Sequence, residues 1–361
     1  MLSEQPRFTR ATLARHLAVT LFGAKSRTTS TTGGTATMVD TRLAAFPDDY
    51  FIGWSLYFET GANIAADSFA VTDFVSSTGT VTFAPAGVST TSGDRYILIP
   101  HGLDMDFIHR IIADAWRALR DACLVPYLNE ELALVAGTED YQVPFEHHIL
   151  AAVADTGGST TTIIDAALTQ AADYWNGGLL VISSGGALGD VRLISDFNAT
   201  TDTLTVIRPF TSTPAIADTY DLHKFQPRAI TELWHLDDNS VWQRIPTGVW
   251  TLQRYGQTAQ LHFYNQEDTH DFTLRAWAVP SDSLRIVGWR QALEPTNDRD
   301  PIELPDDAVI AWCHYLGHSY LAKQEALDSE KHIARLAEAW RNAQEALARH
   351  AVILPSTAVW V

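Results

Sequence analysis

Cysteine is nearly absent: Cys123 and Cys313 are the only two in 361 residues. Two cannot build a disulfide framework or a cysteine-rich zinc site, and both fall in helical patterns where a small buried hydrophobe is the expected role. Cations are scarce as well, 25 Lys and Arg against 43 Asp and Glu, for a formal charge of -18. A chain of that sign is not expected to grip phosphate backbones, which takes clustered positive charge. Long apolar runs are missing too. No stretch of 18 apolar residues reads as a membrane span, and no basic-then-apolar leader reads as a secretion signal. Disulfide scaffolds, membrane proteins and basic DNA-binding domains are set aside on these grounds.

What remains is a globular composition, 46% hydrophobic and 19% charged, in a length that fits two to three domains. The charge is uneven. Residues 1–27 hold Arg7, Arg10, Arg15, Lys25 and Arg27 against Glu4 alone, a local +4 that leaves -22 for the rest. A basic first helix on an acidic body suggests different neighbours at different faces.

An internal repeat organises the chain. Thr32-Gly33-Gly34-Thr35-Ala36-Thr37-Met38-Val39-Asp40 recurs as Thr156-Gly157-Gly158-Ser159-Thr160-Thr161-Thr162-Ile163-Ile164-Asp165. Asp49-Tyr50-Phe51 then matches Asp173-Tyr174-Trp175, Asp73-Phe74 matches Asp196-Phe197, and Asp94-Arg95-Tyr96 matches Asp218-Thr219-Tyr220. The offset stays between 123 and 125 over some 65 residues, which coincidence does not hold. Each copy alternates β-branched and polar residues between turns about ten residues apart, as in a small antiparallel β-barrel or sandwich. Two copies separated by a helix are duplicated modules, not a solenoid.

Helical periodicity surrounds the modules. Residues 8–23 carry Leu13, Leu17 and Leu21 on one stripe. Residues 104–123 form an amphipathic helix capped by Asp104. Pro305-Asp306-Asp307 opens a helix running to about Ala322, with carboxylates at its positive dipole end. A last helix covers about 328–349, with a stripe of Ile333, Leu336, Trp340, Ala343 and Leu347 at 3-4-3-4 spacing, and with Glu338, Arg341, Glu345 and Arg349 pairing along an exposed side. Between the second module and these helices, Val249–Leu252, Ala259–Tyr264 and Phe272–Val279 read as three strands of a meander.

The expected fold is therefore α+β: a four-helix bundle core with two duplicated small antiparallel β-barrel or sandwich modules inserted, and a β-meander. Residues 1–29 supply the first bundle helix, 30–100 module 1, 101–150 a bundle helix and connection, and 151–227 module 2. The meander takes 228–300, two C-terminal bundle helices take 301–350, and 351–361 form an apolar arm.

No catalytic constellation emerges. His314 and His318 have the i,i+4 spacing that can put two imidazoles on one metal, but no glutamate lies between them and no third ligand is apparent, so core or interfacial histidines are expected. His147 and His148 are adjacent and would point to opposite faces of a strand. Gly33-Gly34 and Gly157-Gly158 lack the residues of a phosphate loop or a dinucleotide turn, and Ser184-Gly185-Gly186 is not a nucleophile elbow. Among the 11 Trp, exposed rings would suit stacking on sugars, as in a carbohydrate-binding module. Trp116, Trp312 and Trp340 in helices and Trp250 and Trp277 in strands favour packing instead. No cofactor and no metal are expected.

Residues 259–350 resemble the head-to-tail adaptor, or neck, proteins of tailed phages. The resemblance rests on Leu274-Arg275-Ala276-Trp277-Ala278-Val279-Pro280-Ser281-Asp282-Ser283-Leu284, a polar loop, then Ile302-Glu303-Leu304-Pro305-Asp306-Asp307 leading into the helix 308–322 and a second helix with Trp340. Tyr141-Gln142-Val143-Pro144 after the helix 104–123 is similar to the family's Tyr-x-Leu-Pro step. The order of motifs covers roughly residues 100–350, and the first module is an addition to the family's plan.

The resemblance implies a non-enzymatic virion structural protein, made in the bacterial host cytoplasm. It would form a homo-oligomeric ring, a dodecamer, under the portal protein and join head to tail. Its other neighbours would be tail nozzle or tail tube proteins, with dsDNA passing without specific binding during genome ejection; no membrane is involved. An acidic channel wall would repel the polyanion and let it slide. The alternatives are a trimeric tail receptor- or carbohydrate-binding protein, or a glycan-degrading tail enzyme. The last eleven residues carry no charged side chain. Val352, Ile353, Leu354, Val359, Trp360 and Val361 read as an extended docking arm for the portal or a neighbouring subunit, with Trp360 as anchor. The competing reading folds the arm back onto its own chain.

Overall fold

The computed structural model describes residues 8–61, 63, 68–133, 140–142, 148–155, 157–225, 227–236, 241–255, 258–263, 283–295, 300–323, 329–352 and 359–360. Its class is α+β, with four described helices and several antiparallel sheets.

The helices begin where the side chains can satisfy their free N–H groups. Helix α1 (Arg10–Phe22) opens on a reciprocal Thr9–Thr12 box, in which the Thr9 N–H donates to Thr12 Oγ1 at 2.8 Å and the Thr12 N–H to Thr9 Oγ1 at 3.3 Å. It closes on Gly23 at φ 71°, a left-handed position suited to glycine. Helix α2 (Met105–Leu119) is capped by Asp104, whose Oδ1 accepts from the Phe107 N–H at 2.7 Å. Helix α3 (Asp306–Leu321) and helix α4 (Ser329–His350) follow near the C-terminus. All four contribute to one apolar cluster, through Leu17 and Leu21, Ile108 and Ile112, Val309 and Trp312, and Ala343 and Ala346. At Gly317 a Cβ would lie 2.3 Å from Leu21 Cδ2, so glycine leaves the space that the Leu21 side chain occupies between α1 and α3. The end of α4 is tied to the start of α3: Asp307 receives His350 Nε2 at 2.7 Å and Arg349 at 3.2 Å.

The repeat appears as two six-stranded sheets, each a half-barrel. Module 1 is built from β1 (Lys25–Thr28), β2 (Thr37–Val39), β3 (Ser55–Phe58), β4 (Phe69–Val75), β5 (Thr80–Ala84) and β6 (Arg95–Ile99), in spatial order β1-β6-β3-β4-β5-β2. After β7 (Val125–Ala133) and β8 (Asp140–Gln142), module 2 is built from β9 (His148–Val153), β10 (Thr162–Ile164), β11 (Leu179–Ile182), β12 (Val191–Asn198), β13 (Thr203–Val206) and β14 (Thr219–Lys224). Its order, β9-β14-β11-β12-β13-β10, is that of module 1 strand for strand. Each module also carries a register shift in its fourth strand, between Val71 and Asp73 in one and Ile194 and Asp196 in the other. Phe74 and Phe197 are both buried, as are Phe51 and Trp175. The modules rest on different supports. Ile97 and Ile99 of module 1 join the helical cluster, whereas Leu179, Val181 and Val191 of module 2 join a separate sheet core.

That core differs from the single meander expected over 228–300. Its strands are divided between two sheets, each completed from earlier in the chain. Strands β15 (Ala229–Leu236), β16 (Trp242–Ile245) and β19 (Ser283–Arg290) form a sheet with β7, in the order β16-β15-β19-β7. Strands β17 (Trp250–Tyr255) and β18 (Thr258–Phe263) pair with β8. Two of the three expected strands are thus β17 and β18; the third, 272–279, lies outside the described residues. The physical reason is non-local pairing: β19 finds its partners in β7 and β15, which no local pattern announces. A buried ion pair fixes the junction with α3. Arg290 reaches Glu303 through two bonds of 2.8 and 2.6 Å, and the guanidinium lies 3.4 Å from the Phe225 ring centre.

Candidate assembly surface

Helix α4 presents the most conspicuous mismatch between pattern and burial. Its inward residues are small: Ala339, Ala343 and Ala346 are buried. Of the larger residues of its stripe, Leu336 and Leu347 are half-buried, Leu347 against the helical cluster, while two are exposed. Ile333 is 57% exposed and Trp340 44%, although the Trp340 ring rests 4.7 Å from that of Tyr315. Alanines permit close approach to the rest of the helical cluster, and the price is an apolar seam left on the solvent side. The expected pairing along the charged side is not made. Glu338–Arg341 and Glu345–Arg349 are not ion-paired among the described residues, and Arg349 goes to Asp307 instead.

The C-terminal arm is partly in view. Strand β20 (Val359–Trp360) adds antiparallel to β15 of the same chain, Trp360 opposite Ala229 and Val359 opposite Ile230. It fills the stretch of β15 edge that β16, paired from Leu233 to Leu236, leaves open. The Val352 N–H donates to the Ala122 carbonyl at 2.9 Å. Ile353, Leu354 and Val361 lie outside the described residues. The two described residues, Val359 and Trp360, thus join a sheet of their own chain, as in the reading that folds the arm back.

The histidines gather between helices. His318 Nδ1 and His332 Nδ1 are 2.9 Å apart, a contact that needs one nitrogen to donate and the other to accept. Burial, then the proximity of His332 and His314, pushes His318 down to about 4. Burial also lowers His314, with His16 of α1 adding to it. The His314 and His318 rings stand perpendicular, 6.3 Å apart. Among the described residues no group of three or more His, Cys, Asp or Glu is arranged to hold a metal. Cys123 and Cys313 are buried thiols; burial pushes Cys123 up to about 11 and Cys313 higher still, away from nucleophilic use. Trp116, Trp250 and Trp312 are buried, while Trp277 and His147 lie outside the described residues.

The glycine-rich lead-ins also have structural roles. The Gly34 N–H donates to Thr37 Oγ1 at 2.8 Å, and the Ser159 N–H to Thr162 Oγ1 at 3.1 Å, the same local turn in both modules. Gly185 is packed against the Asp218 carboxylate, where a Cβ would sit 2.1 Å from an oxygen; Gly61 and Asp94 repeat this in module 1.

One feature escaped sequence reasoning. Lys25, Arg27, Arg42 and Arg95 line an open groove of about 590 Å³ on module 1. The cations arrive from β1, from the turn after β2 and from β6, so no single sequence window contains them. No described helix is long and apolar enough to cross a membrane. No family model matches the chain, and no curated protein matches it in sequence.

Proposed function

We propose that this protein is a structural adaptor that closes into a ring, as the neck component joining head to tail in a tailed phage virion. In this reading the four helices act as one bundle, with the half-barrels carried on it. The observation that supports it most is the open seam of α4. Ile333 and Trp340, two turns apart on α4, are large apolar residues left exposed, which a neighbouring copy would cover, and rings arise when one patch meets a different patch on the next copy. The resemblance over residues 100–350 supplies the partners: portal protein on one side, tail nozzle or tail tube proteins on the other. The -18 charge suits a lumen through which dsDNA passes without sticking.

Native mass measurement tests the reading. A twelve-fold mass is expected, reduced to monomer by Ile333→Asp with an unchanged circular dichroism spectrum. A three-fold mass with glycan binding would favour the tail receptor-binding alternative, and a monomer with hydrolytic activity the glycan-degrading one.

A further inference from the structure

The two half-barrels share a fold but not a surface, and the difference is concentrated on one side of module 1. Sheet register gives the equivalences. Lys25 lies opposite Leu98 as Leu150 lies opposite Leu222, and Arg27 lies opposite Tyr96 as Ala152 lies opposite Tyr220. Arg42 follows Asp40 by two residues as Ala167 follows Asp165, and Arg95 precedes Tyr96 as Thr219 precedes Tyr220. The four cations of the groove thus correspond to Leu150, Ala152, Ala167 and Thr219. Module 2 adopts the same strand order without them, so the fold does not require them.

Their charge is also largely uncommitted. Arg42 is tied to the Asp40 carboxylate at 2.8 Å. Among the described residues, no carboxylate lies within ion-pair distance of Lys25, Arg27 or Arg95. Beside the groove runs an aromatic row. Lys25 Nζ lies 5.6 Å from the Phe46 ring centre, Phe46 stacks on Tyr50 at 5.0 Å, and Tyr50 lies 5.7 Å from Trp54. Tyr50 is 45% exposed. In module 2 the equivalents of Phe46 and Trp54 are Gln170 and Gly178, and Tyr174 is covered by the Lys224 ammonium, 3.4 Å from its ring. Cations and accessible aromatics therefore occur together, in one copy and on one face.

Lys25, Arg27 and Arg95 meet no carboxylate among the described residues, and a concave row of unneutralised like charge suits a polyanion. This side of the module has the two parts of a single-strand groove: cations that follow phosphates, and ring faces on which unpaired bases of any sequence stack. We propose that this face of module 1 binds single-stranded nucleic acid without sequence preference. Phosphates lie along Lys25, Arg27 and Arg95, with Arg42 held by Asp40 on the groove wall, and bases lie against Tyr50 and Trp54. The net charge of the chain does not forbid this. At physiological salt, fields fade beyond about 8 Å, so a strand at the groove meets the local charge.

The test uses the full chain and a fluorescein-labelled 15-mer of thymidylate, followed by anisotropy. Three phosphate contacts on a single strand, at Lys25, Arg27 and Arg95, predict affinity roughly 20-fold weaker at 200 mM than at 50 mM salt. Arg27→Glu should weaken binding at least tenfold and Lys25→Ala several-fold, while Arg208→Glu, an exposed charge reversal elsewhere on module 2, changes it little. Tyr50→Ala should lower affinity for the 15-mer more than for a duplex of equal length. Circular dichroism of each variant separates loss of binding from loss of fold, and Lys25→Ala serves if Arg27→Glu does not fold. No binding at 50 mM salt, equal effects of Arg27→Glu and Arg208→Glu, or a duplex bound as tightly as the single strand would each overturn the proposal. So would a change in oligomeric mass with undiminished strand binding, which would assign the groove to a neighbouring copy.

Discussion

Tyr220 donates its phenolic hydrogen to Asp165 across 2.7 Å inside module 2, and Tyr96 does the same to Asp40 at 2.7 Å in module 1. Burial, then the adjacent carboxylate, pushes both phenols far above their ordinary range, so each remains a donor at any usable pH. The two sites differ in what else holds the acid. In both modules the N–H two residues on donates to the other carboxylate oxygen, Arg42 to Asp40 at 3.0 Å and Ala167 to Asp165 at 2.8 Å, but only Asp40 also receives a side chain, that of Arg42 at 2.8 and 3.0 Å. Tyr220→Phe is therefore expected to cost about 1–3 kcal/mol, the penalty for a buried acceptor left short of a donor, and Tyr96→Phe about 1 kcal/mol or less. Urea unfolding of the two variants checks the order; equal losses would mean that Arg42 gives Asp40 no independent support.

The Arg290–Glu303 pair should be among the least replaceable contacts. Both side chains are under 10% exposed, and Glu303 also accepts from the Leu293 N–H at 2.6 Å. Burial works to raise the Glu303 pKa, but Arg290 outweighs it and holds the carboxyl below its usual range. Glu303→Gln would strand a buried guanidinium beside Phe225, a loss of about 3–5 kcal/mol. Because the folded pKa is depressed, the pair's contribution is present above the ordinary glutamate value and is lost as pH falls through the folded one. Acid titration of the wild type against Glu303→Gln should show the variant lacking that part of the acid transition.

How much of this could be read from the residues depends on the range of each contact. The duplication was legible because its signals are rigid in sequence: aspartate and tyrosine at a constant offset, with turns pinned between them. The backbone even outlasts residue identity. Gly79 and Gly93, at φ 65° and 93°, correspond to Asp202 and Ala217, which keep φ 50° and 68° despite the strain on a side chain there. The helices were legible from period and caps to within a few residues. The central sheet was not. Leu284, Ile286 and other inward residues of β19 alternate plainly, but their partners in β7 lie some 150 residues earlier. Nor was the direction in which α4 faces. Of the expected stripe Ala343 is buried and Leu347 packs on the cluster, but Ile333 and Trp340 are exposed, and Ala339 and Ala346 beside it pack instead. The basic groove was hidden for a third reason, a net charge of -18 that conceals a local excess assembled from separate strands.

His318 makes the α3–α4 contact sensitive to pH. Its folded pKa, about 4, is below the ordinary 6.5, so the unfolded chain binds the extra proton first. The stabilising contribution of the neutral ring is complete above pH 6.5 and declines as pH falls toward 4. The upper bound is about 3 kcal/mol, from 1.36 kcal/mol per pH unit. Protonation would also set a charge against His332 and His314, and against Arg335 and Lys331 of α4. Thermal unfolding from pH 7 to pH 4.5 should fall more steeply for the wild type than for His318→Asn. Parallel curves would remove this histidine from the acid response.

The C-terminal arm yields the sharpest separation of roles. Its described strand is two residues long, held at Ala229 and Ile230, so its loss removes few backbone hydrogen bonds. Deleting residues 353–361 is accordingly expected to lower stability by about 1–3 kcal/mol and to leave the two half-barrels and the helical cluster folded. It also uncovers a length of β15 edge, a template on which another strand can add. If the arm docks on the portal or a neighbouring subunit, as its charge-free composition and Trp360 suggest, the truncated chain will fold but fail to assemble. Trp360→Ala, which keeps the backbone, should then weaken assembly with little change in unfolding. Circular dichroism, thermal unfolding and co-sedimentation with portal rings read these effects separately. Full assembly by the truncated chain would confine the arm to closing its own sheet.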